Sequence, residues 1–254
     1  MTSTQVNEYK QWFQAYTQQY QTNAPHCPYQ MKRDHTERVC HNISELCKSL
    51  KLSDNDSHIA YVIAIFHDLG RFEQYKQYKT LHDNQSVNHA KLSIWELQRN
   101  HVLSNCDPIE KRFIMKGIAY HNVPNVPQNL DPQSKLLIQL IRDADKLDIY
   151  KVLTDYYLER DKSPNKIIEL NLPNSPGFSS AILSQLLHHK NANYHDLKNL
   201  NDFKLIQIGW VFDLNFSYSI QQVKQNQYIE KIAQTLPQTE EIQSYLNYVQ
   251  SYRL

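Results

Sequence analysis

The period of its apolar residues constrains this chain most. They recur three and four apart in about six to nine segments, and no alternating apolar-polar pattern lasts more than a few residues. That period predicts an all-α fold. The chain has only 4 Gly and 10 Pro, few of them inside periodic segments, so most of it is free to be helical. With 254 residues and 41% hydrophobic content it can bury a large core. The expected organisation is one helical domain over 1–254, with a core over about 30–160 and a C-terminal helical extension over about 161–254.

The spacing predicts an opening helix over about 4–20, closed by the prolines of Ala24-Pro25-His26-Cys27-Pro28, and a second over about 34–50 with Val39, Ile43, Leu46 and Leu50 on one stripe. The segment Ser57 to Asp68 contains Ile59-Ala-Tyr-Val-Ile-Ala-Ile-Phe, apolar nearly all round, and reads as a buried central helix stopped at Gly70. A polar loop over about 71–86 is expected next, then a helix capped by Ser86 and running to about Asn100. Asp107-Pro108 opens a helix that runs to His121, and Ser134 to about Arg160 supplies a long one. Ser163 to Ser180, with three prolines, reads as a loop. Helices over about 179–190, 202–224, 225–236 and 238–252 follow, and Trp210, Phe212 and Phe216 predict that these pack on the preceding part rather than trail as a tail.

Charge narrows the function classes. The 27 Lys+Arg nearly cancel 26 Asp+Glu, so no global field draws nucleic acid or an anionic membrane, and any anion specificity must be local. No stretch approaches the roughly 20 apolar residues of a membrane span, and the start lacks a basic segment followed by an apolar run; the expected compartment is the cytoplasm. Cys27, Cys40, Cys47 and Cys106 form no CxxC pair and read as reduced thiols in or near the core. The anomaly is the 12 histidines.

Four ionisable residues fall where side chains should be buried. His35 lies four before Val39 and joins its stripe. His67 and Asp68 end the all-apolar helix, and Asp143 lies three after Leu140 and four before Leu147. Singly, His35 reads better as a satisfied core histidine and Asp143 as an ion-pair partner of Arg142 or Lys146. Together, two buried carboxylates beside two imidazoles are better explained by a shared metal, because a carboxylate in a core is costly unless paired or bound to a cation. Imidazole with carboxylate suits Fe, Mn, Zn, Ni or Co rather than calcium.

The pattern His35, then Ile65-Phe66-His67-Asp68-Leu69-Gly70-Arg71, then Ile141-Arg142-Asp143-Ala144-Asp145-Lys146-Leu147-Asp148, resembles the H…HD…D signature of HD-domain metal-dependent phosphohydrolases over about residues 30–160. The resemblance implies a helical fold, one or two divalent transition metal ions, and hydrolysis of phosphate esters or nucleotides. It also implies His35, His67, Asp68 and Asp143 as ligands of the first ion. His89 and His121 extend it to the H…HD…H…H…D arrangement of binuclear branches such as symmetric diadenosine tetraphosphate hydrolases, in which Asp68 would bridge two ions and the two histidines would hold the second. Ser93 departs from relatives that often have glycine there.

Arg71 and Lys146, each within three residues of an expected ligand, are candidates for gripping phosphate and serving catalysis. Asp145 and Asp148 are candidates for holding ligating imidazoles. The stretch 71–83 mixes Arg71, Lys76 and Lys79 with Phe72, Tyr75 and Tyr78, a composition that suits a substrate cover as well as a plain surface loop. His26, His41, His58, His82, His101, His188, His189 and His195 lack this convergence and read as structural or solvent-facing. The expected ligand is a small phosphorylated metabolite or nucleotide. Two other classes stay open: mixed-valence di-iron oxygenases, including inositol oxygenase, share the ligand pattern, and a metal-binding module without turnover would carry the same residues.

Overall fold

A computed structural model describes residues 1–20, 27–188 and 196–253. The fold is all-α: every regular element among the described residues is helical. None of the described helices is long and apolar enough to cross a membrane. The chain divides into two compact units, Met1–Asp148 and Ile149–Leu254.

In the first unit α1 (Ser3–Gln18), α2 (Pro28–Ser49) and α6 (Pro108–Tyr120) pack against α3 (Asp54–Phe66), while α4 (Gly70–Tyr78) packs on α5 (His89–Arg99). α3 is the centre because Ile59, Val62, Ile63, Ile65 and Phe66 are all buried, each contributing about 1.5–3 kcal/mol by leaving water. Its start is fixed by Ser53, whose hydroxyl accepts from the Asp56 amide. α6 begins as its sequence dictates, with Asp107 accepting from the amides of Ile109 and Glu110 and Pro108 in the first turn.

Three boundaries differ from expectation. α2 starts at Pro28 rather than near residue 34, because proline fits the first helical turn, where no amide donor is needed. The expected polar loop over about 71–86 contains α4: Phe72 is fully buried beside Phe13, Tyr20 and Tyr29, and that tertiary contact overrides the polar composition. Lys79, in the left-handed region at φ 55°, ends α4. The cap of α5 is Asn88, which accepts from the Lys91 amide, and Ser86 instead accepts from Gln74.

α7 (Pro132–Glu159) begins in the first unit and continues into the second, which also holds α8 (Ser180–Leu187), α9 (Leu200–Gly209), α10 (Ser217–Gln225), α11 (Tyr228–Ala233) and α12 (Glu240–Arg253). The single helix expected over about 202–224 is broken. Gly209, Val211, Phe212, Asp213 and Asn215 are poor helix formers, and a 3-10 turn over Trp210–Asp213 separates α9 from α10. Within this unit Trp210 meets Tyr150 edge-on, Tyr228 stacks on Tyr150, and Phe212 contacts Tyr248.

Candidate metal centre

The cluster lies within the first unit, where α2, α7, the ends of α3 and α6, and the start of α5 converge. His67 and Asp68 follow α3 directly, in the tight turn that leads into α4. That turn is clamped from α5. The Gly70 amide donates to Ser93 Oγ at 2.7 Å, and Ser93 Oγ donates to the His67 carbonyl at 3.0 Å, so this serine ties α5 to the doublet. Gly70 is required here, since a Cβ would stand 2.4 Å from the His89 carbonyl oxygen and 2.5 Å from the Ser93 nitrogen.

Each of four buried imidazoles has its Nδ1 engaged by an acceptor. His35 Nδ1 is 2.6 Å from Asp148 Oδ2, His67 Nδ1 2.8 Å from the Ala64 carbonyl, His89 Nδ1 2.7 Å from Asp83 Oδ2, and His121 Nδ1 2.8 Å from the Ile118 carbonyl. A carbonyl or carboxylate only accepts, so Nδ1 carries the hydrogen in all four and Nε2 is turned inward. The Nε2 atoms of His35 and His67 approach to 3.2 Å, and those of His89 and His121 to 3.0 Å.

Asp68 lies between the pairs. Its Oδ2 is 3.5 Å from His35 Nε2 and 3.8 Å from His67 Nε2; its Oδ1 is 3.2 Å from His89 Nε2 and 3.9 Å from His121 Nε2. Donor atoms of His35, His67 and Asp145 lie within 4.8 Å of one another, as do those of His67, Asp68 and His121.

The carboxylate that α7 brings to this cluster is Asp145, not Asp143. Asp145 Oδ1 is 3.2 Å from His35 Nε2 and 3.9 Å from His67 Nε2. Asp143 is fully buried but belongs to neither converging group. The two residues are roughly 200° apart around the helix, so only one can face a given site. The apolar stripe misled because α7 is buried on more than one side: Leu137, Ile138, Leu140, Ile141 and Ala144 are all fully buried. Asp148, three residues beyond Asp145, takes the supporting role, accepting from His35 and from Arg38.

Lys32 was not among the sequence candidates, although it precedes His35 by one helical turn; its Nζ donates to Asp68 Oδ2 at 2.6 Å. Arg71 Nε lies 3.5 Å from Asp68 Oδ1, while its Nη1 donates to Asp83, Gln74 and the Leu81 carbonyl. Lys146 is half-buried, adjacent to Asp145 on α7. His41, His101 and His188 are exposed and His58 and His82 half-buried, whereas His26, His189 and His195 lie outside the described residues.

Burial lowers the pKa of His67, of His89 and of His121, the last to about 3. The pKa of His35 is raised: burial and Lys32 oppose its charge, but hydrogen bonds that it donates to Asp145 and Asp148 outweigh them. Asp68 is held well below the usual carboxylate range, because Lys32, His67, His89 and Arg71 together overcome its burial. The ionised Asp68 beside the imidazoles of His67, His89 and His121, which burial favours as neutral, has the protonation that cation binding needs.

The residues fit a bound cation. Buried imidazole nitrogens facing one another are unsatisfied acceptors, each costing about 1–3 kcal/mol, unless a proton or cation lies between them. At the edge of the cluster, Arg71 Nε and Asn122 Oδ1 are buried without a hydrogen-bond partner. Mixed nitrogen and carboxylate donors suit a transition metal.

The family model described as HD domain matches residues 33–150, a span holding all five histidine and aspartate residues of the two converging groups. No curated protein and no solved structure matches the chain.

Proposed function

Residues 33–150 match the HD-domain family model, and on that premise we propose that the chain is an HD-domain, metal-dependent phosphohydrolase acting on a small phosphorylated metabolite or nucleotide. The observation that carries the reading is the convergence of four imidazole Nε2 atoms on Asp68, with Asp145 on one side and the cations Lys32 and Arg71 at the same carboxylate. His35, His67, Asp68 and Asp145 would hold one divalent cation. Asp68, His89 and His121 would hold a second. Ions so held supply a Lewis acid for a phosphoryl oxygen and lower the pKa of water toward neutrality.

The chain's own residues do the rest. Asp68 offers one oxygen to each histidine pair, so it serves both positions without moving, whereas an imidazole offers a single inward nitrogen. Arg71 and Lys32 set positive charge beside the phosphate and oppose the charge that accumulates on its oxygens. Lys146, one residue beyond Asp145, is a further proposed phosphate contact. Hydrolysis consumes one water, so the chain need provide no nucleophile of its own.

The test is metal analysis of the purified protein coupled to a phosphate-release screen over nucleotides and sugar phosphates. Bound transition metal with release from at least one ester class is expected. Arg71→Ala should keep metal and raise KM. Substrate-dependent oxygen uptake without phosphate release would overturn the hydrolase in favour of an oxygenase, and bound metal without either activity would favour a non-catalytic module.

A further inference from the structure

Asp83 belongs to the 3-10 turn Asp83–Gln85 between α4 and α5 and is not one of the groups whose donor atoms converge. Nevertheless it joins three segments of the site. Its Oδ2 is 2.7 Å from His89 Nδ1, and its Oδ1 accepts from Arg71 Nη1 at 2.8 Å and from Gln74 Nε2 at 3.0 Å. Asn122, just past α6, donates to Oδ2 at 3.3 Å, and the His89 amide does so at 3.4 Å.

We infer that Asp83 is a positioning residue that holds His89 and Arg71 together, so that filling of the second cation position and the grip on a phosphate depend on one carboxylate. The inference rests on the metal-dependent reading above. Two consequences of the geometry support it. A carboxylate can only accept, so His89 is fixed with its hydrogen on Nδ1 and its Nε2 3.2 Å from Asp68 and 3.0 Å from His121. On the other side, Arg71 Nη1 is used up by Asp83, Gln74 and the Leu81 carbonyl. The guanidinium edge formed by Nε and Nη2 is left over, and its Nε is buried without a hydrogen-bond partner beside Asp68. That edge has the geometry of a bidentate phosphate contact.

The experiment titrates the metal-free full chain with Mn(II), counting bound ions by electron paramagnetic resonance, and then titrates the Mn(II)-loaded protein with inorganic phosphate by calorimetry. Wild type should bind two ions. Asp83→Ala should retain the tighter ion, lose affinity for the second by about 10–100-fold, and bind phosphate more weakly. Asp83→Asn keeps an oxygen for the His89 N–H but removes the charge facing Arg71; it should keep the second ion within about tenfold of wild type while still weakening phosphate. The asparagine variant is nearly isosteric, so it answers even if the alanine variant does not fold. A purely structural role would lower the melting temperature of the metal-free protein and leave ion count and phosphate affinity unchanged, which overturns the inference. So does a wild type that binds only one ion. A wild type that binds no Mn(II) overturns the metal-dependent reading itself.

Discussion

Nε2 of His35 stands 3.2 Å from Oδ1 of Asp145, joining α2 to α7 at the cluster. If this pair shares a cation, removing the carboxylate opens the coordination sphere. Asp145→Ala is therefore expected to lose bound metal and activity together, and Asp143→Asn, altered on another face of α7, to keep its metal. Metal content per folded chain checks this, and the reverse result would return the ligand role to Asp143.

His89 and His121 approach each other at 3.0 Å on the Oδ1 side of Asp68, away from the His35 and His67 pair. His89→Ala and His121→Ala should each reduce bound metal from about two ions per chain toward one, with a severe loss of turnover. His67→Ala, which removes a donor common to both converging groups, should lose metal more completely. His188→Ala, at an exposed position, should change nothing. Anomalous diffraction with a single metal peak and both histidines turned away from it would reject the two-ion arrangement while leaving the first site intact.

Gly70 is locked against α5 by backbone rather than by side chains that could move aside. A methyl group there would meet the His89 carbonyl oxygen and the Ser93 nitrogen well inside contact distance. Gly70→Ala is expected to cost about 1–3 kcal/mol or more through overpacking, and to lower the melting temperature by about 2–4 °C per kcal/mol. An unchanged thermal melt would mean that α4 and α5 separate easily.

Lys204 is 4% exposed, with its Nζ donating to the Thr235 carbonyl at 3.0 Å and lying over the Tyr157 ring. Burial, reinforced by Arg160, brings its pKa down from 10.5 to about 8. The folded state thus disfavours the charged form. The penalty is complete below about pH 8, fades as pH rises from 8 to 10.5, and amounts to about 3 kcal/mol at most. Lys204→Met should stabilise the protein at pH 7, with a smaller gain at pH 9. Denaturant unfolding at the two pH values checks this, and a gain that does not shrink at the higher pH contradicts it.

The sequence by itself determined the helical class, the central helix and the doublet at its end. Each of these is local: a period of 3.6 survives in any tertiary context that buries one face, and an apolar run such as Ile59–Phe66 has nowhere to go but the core. The same reasoning selected His35, His67 and Asp68, and the family resemblance added His89 and His121; all five are buried in the cluster. Lys32 was missed although it lies one turn before His35, because nothing in a stripe marks an amphipathic cation as belonging to a site. Only the tertiary structure decided between Asp143 and Asp145, because a helix buried on several sides has no single phase from which the facing residue can be read. Only it turned the polar stretch after Gly70 into α4, through the aromatic neighbours of Phe72 contributed by α1 and α2. And only it brought Asp83 against both Arg71 and His89, since that meeting is set by the path of the turn between two packed helices, which no periodicity encodes.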